Sequence, residues 1–146
     1  MGTFSAGTNP RLEAALASRS AAADIKDLIE APTDIVETKT ADYTLVAADS
    51  GKTFIAGAVD LTFTLPATIS GFKATFIVAT VSATTGCSIS PNASDKIIGN
   101  AFAGTDDKDA INTAATDVAG DAIEIVGDGS DGWYIKNIIG TWALEA

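Results

Sequence analysis

Two periodicities divide the chain. Up to about residue 36 apolar side chains recur at helical spacing, and beyond it they alternate at every second position. In TNPRLEAALASRS, Asn9 suits a cap and Pro10 a first helical position, with Leu12 and Leu16 four apart on one face. SAAADIKDLIEAP predicts a second short helix, capped by Ser20, striped by Ile25, Leu28 and Ile29, and closed by Pro32. Neither stripe holds enough large apolar residues to fold alone. Residues 1–36 are therefore expected to form a helical or extended arm that packs on its own β domain or on a partner.

From about Glu37 the pattern is that of strands. YTLVA puts Tyr43, Leu45 and Ala47 on one face, and DLTFTLP alternates Leu61, Phe63 and Leu65 with Thr62 and Thr64. GFKATFIVATVS is apolar on both faces beyond Phe76, as a central or interface strand would be. Phe76 and Val78, with Ile77 between them, are expected in the core or against a subunit neighbour. Further strands are expected at CSIS, KIIG, DAIEIVG and GWYIKN, and residues 100–117 read as a long loop with at most one short strand. Dense turn signals and the absence of intervening helices predict a mainly β domain over residues 37–146, an antiparallel sandwich or barrel.

Composition narrows the chemistry. In 146 residues, 9 basic and 19 acidic side chains give a net charge of −10, which repels phosphate backbones and argues against nucleic-acid binding. The chain has no histidine, so the usual general base and the commonest metal ligand are missing. Cys87 is the single cysteine and cannot form an intrachain disulfide; without a histidine to activate it, a buried small hydrophobe is expected. No apolar run reaches the length of a membrane helix, and no secretory signal is expected at the N-terminus.

The stretch most like a reaction site is AADSGKTF, residues 47–54. A phosphate-binding loop needs a glycine where Val46 stands and a helix after Thr53, where the pattern is that of a strand. Lys52 is therefore expected as an exposed cation on a hairpin turn made by Asp49, Ser50 and Gly51. Asp106, Asp107 and Asp109, like Asp128 and Asp131, lack EF-hand spacing and read as acidic turn tips, with a looser calcium site or a glycosidase-type carboxylate pair as the sharper alternatives. Trp133, Tyr134 and Trp142 read as core or subunit contact before a sugar-stacking platform. Asn92-Ala93-Ser94 reads as a turn. No cofactor or metal is expected.

YTLVAADSGKTFIAGAVDLTFTLP, GFKATFIVA and GDAIEIVGDGSDGWYI together resemble a β domain that recurs in structural proteins of tailed bacteriophages. The likeness spans residues 43–136 and lies in turns and strand starts, so it implies architecture more than activity. It implies a non-enzymatic virion protein, either a capsid decoration or cement protein or a head or tail fibre contacting host glycans, commonly a homotrimer. A short arm on one compact domain, without a repetitive shaft, favours decoration of the capsid surface. The implied partners are the major capsid protein and further copies of the chain, with Leu12, Leu16, Ile25, Leu28, Ile29, Phe76 and Val78 as candidate contacts.

Overall fold

The computed structural model describes residues 34–146. The helices expected before residue 33 lie outside the described residues. The strands are β1 Val36–Lys39, β2 Tyr43–Thr44, β3 Thr53–Ala56, β4 Thr62–Thr64, β5 Lys73–Val78 and β6 Gly86–Ser90. They continue with β7 Lys96–Gly99, β8 Phe102–Asp106, β9 Ala110–Thr113, β10 Ala122–Gly127, β11 Gly132–Ile139 and β12 Trp142–Leu144. One sheet has seven strands in the order β1-β3-β5-β10-β11-β7-β8, and the other five in the order β12-β9-β6-β4-β2.

The domain is mainly β and built of two packed sheets, as the alternation requires. Its pairing is mixed, in contrast to the antiparallel expectation. β1 with β3, β3 with β5, β2 with β4, β4 with β6 and β7 with β11 run parallel. The cause is the path of the chain, which changes sheet at every step from β1 to β7. Two reversals restore a direction, so every second strand lies parallel to its predecessor in the same sheet. The crossover that a parallel pair requires is usually a helix; here it is a strand of the opposite sheet.

Alternation places Phe54 and Ala56 of β3, Phe63 of β4, Ala74, Phe76 and Val78 of β5, and Ile123 and Ile125 of β10 in the interior. Phe54, Phe63 and Phe76 pack with ring centroids 5.0–5.9 Å apart, and Tyr43 joins at 5.5 Å from Phe54. Each such pair contributes about 0.5–1.5 kcal/mol beyond area burial. Trp133 meets the edge of Phe72 at 5.4 Å. A bulge at Lys136 of β11 pairs Ile135 with Ile125 and Asn137 with Glu124. The extra residue keeps Ile135 and Ile138 both packed against the core.

Two regions differ from their expectation. Residues 100–117 hold two strands, β8 and β9, and the chain ends on β12, whose three residues are too few to show a period. AADSGKTF is not a hairpin: β2 belongs to the five-stranded sheet and β3 to the seven-stranded sheet. A turn of 3-10 helix at Ala47–Asp49 carries the chain across the sandwich rim between them.

Candidate functional site

The crossing from β2 to β3 is built around a buried carboxylate. Asp49 is 2% exposed. Its Oδ2 accepts the Tyr43 hydroxyl at 3.0 Å and the Val46 N–H at 2.9 Å, and its Oδ1 accepts the Lys52 ammonium at 2.8 Å. Lys52 also donates to Glu37 Oε1 at 2.6 Å, and Lys39 donates to Glu37 Oε2 at 2.7 Å. The Lys39 Nζ lies 3.6 Å from the centre of the Tyr43 ring, a cation–π contact. Lys52 is thus a paired cation at the rim and not the free one expected at a turn.

The charge states follow from these partners. Burial pushes the Asp49 carboxyl up, but hydrogen bonds from Lys52, the Val46 N–H and Tyr43 outweigh it and leave the pKa lowered. Hydrogen bonds from Lys39 and Lys52 hold the Glu37 carboxyl low. Hydrogen bonds to Asp49 and Glu37 raise the Lys52 ammonium, and the bond to Asp49 raises the Tyr43 phenol. All four are fixed in the form that binds its neighbour. A P-loop lysine must instead be free to meet phosphate, and β3 follows this turn where a phosphate-binding helix would be. The arrangement clasps β1, β2 and β3 together.

Other aspartates act in the same way on loops. Asp60 accepts N–H groups from Thr84, Thr85 and Gly86, together with the Thr84 hydroxyl, and these bonds, led by that from Gly86, hold its carboxyl far below the usual range. Asp95 accepts the Thr68 N–H, Asp117 the Ser82 N–H and Asp121 the Val118 N–H and the Asn112 amide. Asp128 accepts N–H groups from Ser130 and Gly132, which lower its pKa and shape the β10–β11 turn. Sequence reading treated the acidic residues as turn tips or possible pairs. It missed Asp49, Asp60, Asp117 and Asp121 as loop staples because no local motif distinguishes an inward carboxylate from a solvated one.

One carboxylate from each of the two acidic stretches meets the other at a lysine. Lys96 bridges Asp106 at 3.3 Å and Asp131 at 2.9 Å. Asp109 has its pKa raised, chiefly by burial, near Glu145 and Asp107. Among the described residues, no three carboxylates or thiols come together as metal ligands. Cys87 is buried, its thiol pushed up to about 12 by burial with the Asp117 charge adding to it. The Oδ1 atoms of Asn112, which pairs with Cys87 across the sheet, and of Asp117 are buried without a hydrogen-bond partner.

Trp133 and Trp142 are core residues and only Tyr134 of the three aromatics is exposed, so they do not form a platform. Phe76 and Val78, candidates for a subunit contact, are instead fully buried in the chain's own core, because β5 is central and its alternate residues meet the five-stranded sheet. The outward member of that trio is Ile77, half-buried. Leu12, Leu16, Ile25, Leu28 and Ile29 lie outside the described residues. No protein-family model and no curated protein matches the chain.

Proposed function

We propose that this chain is a non-enzymatic structural protein of a virion, decorating and stabilising the capsid surface as a homotrimer, with the major capsid protein as its partner. The observation that carries this reading is the use of its polar groups. Asp49, Asp60, Asp95, Asp117, Asp121 and Asp128 each accept backbone N–H groups of a loop. A carboxylate held this way fixes its loop, which suits a mechanical part. The sequence resemblance to tailed-phage β domains supports the same reading. Attachment across capsomer junctions would add binding free energy to the closed shell and oppose its expansion.

Antibody labelling of intact particles tests this directly. Label spread over the shell in hundreds of copies is the expected result. Label confined to a few copies at a tail or head vertex would replace decoration by the fibre reading, and unlabelled particles would overturn a virion role.

A further inference from the structure

From β1 to β6 the chain winds as a coil between the two sheets. Each turn adds a parallel strand to both, β1, β3 and β5 to one and β2, β4 and β6 to the other. The first turn leaves β1 and β2 as the outermost strands of their sheets, with no described strand beyond either. They stand on the same side of the sandwich, since Tyr43 of β2 packs on Phe54 of β3 and lies beneath the Lys39 ammonium of β1. Unpaired N–H and C=O groups along two such edges are a template for further strands. The interior rows that arrive there change character at the last strand. One runs from Ile138 through Ile123, Phe76 and Phe54 to Glu37, and the next from Val78 through Ala56 to Lys39. Where the strands behind it bury apolar side chains, β1 places a carboxylate and an ammonium.

We infer that Glu37 and Lys39 are an end cap, which closes this side of the coil against the strands of a second copy. Each charge is satisfied within the first turn. Glu37 accepts from Lys39 and Lys52, Lys52 is held in turn by Asp49, and Lys39 faces the Tyr43 ring. Both side chains of the cap are partly buried and still meet water. A strand added beside β1 would strip that water from two charged groups at once, which opposes its docking. β2 is only two residues long and offers little backbone to pair. Val36 and Thr38, the alternate residues of β1, are exposed on the outer face and take no part. The cap is independent of the virion reading: it assigns an edge that self-assembly avoids, whatever particle the chain belongs to.

Sedimentation velocity of the full-length chain at micromolar concentration tests the cap. Glu37→Val with Lys39→Val continues the apolar rows and leaves the Asp49–Lys52 pair in place. This double variant should associate about tenfold more strongly than the unmodified chain, or more, and grow into larger species with time. Lys39→Met keeps the Glu37–Lys52 pair and should shift association in the same direction by less. Thr38→Val replaces a hydroxyl by a methyl on the outer face of the same strand and should sediment as the unmodified chain does. A cooperative thermal melt verifies that each variant is folded, and if the double variant does not fold, Lys39→Met decides alone. A folded double variant or Lys39→Met chain that sediments like the unmodified one would overturn the inference. So would Thr38→Val association as strong as that of the inward variants, because position on the strand would then be immaterial.

Discussion

The two ends of the sandwich solve the same problem with different donors. Both carry loops that cross between sheets, and both staple those loops with aspartates. At the β2–β3 end one staple is ionic: Asp49, Lys52, Glu37 and Lys39 form a chain of charge-assisted bonds at 2.6–2.8 Å. Asp95 and Asp128 at the same end, and Asp60, Asp117 and Asp121 at the other, instead accept backbone N–H groups. Exposed aliphatic side chains stand at both ends, Ile35, Val36, Val46 and Ile69 at the first and Val59, Val81, Val118 and Ile139 at the second. The same residue type thus joins a lysine network or holds a backbone turn, depending on its donor.

The largest expected effect lies at the end that Asp60 holds. Gly86 has φ +108°, and a Cβ there would overlap the Asn112 carbonyl oxygen of the paired strand. Gly86→Ala should cost more than about 4 kcal/mol, since strain and a backbone clash act together. Urea unfolding, or loss of soluble protein, would register it. An alanine variant as stable as the parent would refute the close approach of β6 and β9.

Next comes the ionic end. Asp49→Ala strands the Val46 N–H, the Tyr43 hydroxyl and the Lys52 ammonium, and should cost about 2–4 kcal/mol. Lys52→Ala should lower the melting temperature clearly, whereas Lys108→Ala, whose partner is an exposed terminal carbonyl, should not. Equal shifts for the two lysines would mean that the Lys52 network contributes nothing specific.

Acidification should weaken both ends. Asp49, Glu37, Asp60 and Asp128 have folded pKa values below their ordinary ones. Their stabilisation is complete above the unfolded values, 3.8 for aspartate and 4.5 for glutamate, and is lost as pH falls through the lowered folded values. Urea midpoints should decline below about pH 4.5, and Asp60→Asn should flatten part of that decline. The smallest effect is of opposite sign. The Asp109 pKa is raised, so its folded-state preference for the protonated form is lost as pH rises through that value. Asp109→Asn should stabilise at neutral pH by no more than about 0.5 kcal/mol, with the gain disappearing in acid.

Much of this was readable in the sequence. Period-two alternation fixed which side chains of β3, β4, β5 and β10 point inward, because successive residues of a strand face opposite ways whatever the partner. The same rule excluded the phosphate loop, since Thr53 opens a strand. Burial of Cys87 was expected from its chemistry, and of the two readings of the tryptophans, core or subunit contact, the structure gives core. Alternation says nothing of which sheet a strand joins, so parallel pairing, the rim crossing at Asp49 and the burial of Phe76 and Val78 within one chain all depended on topology. The direction of a carboxylate is equally non-local: the staples of Asp60 lie 24–26 residues away along the chain. Sequence determined the faces of the strands, because those follow from bonds between neighbours. Tertiary structure alone decided which aspartates hold loops and which meet lysines, because that depends on donors contributed by distant parts of the chain.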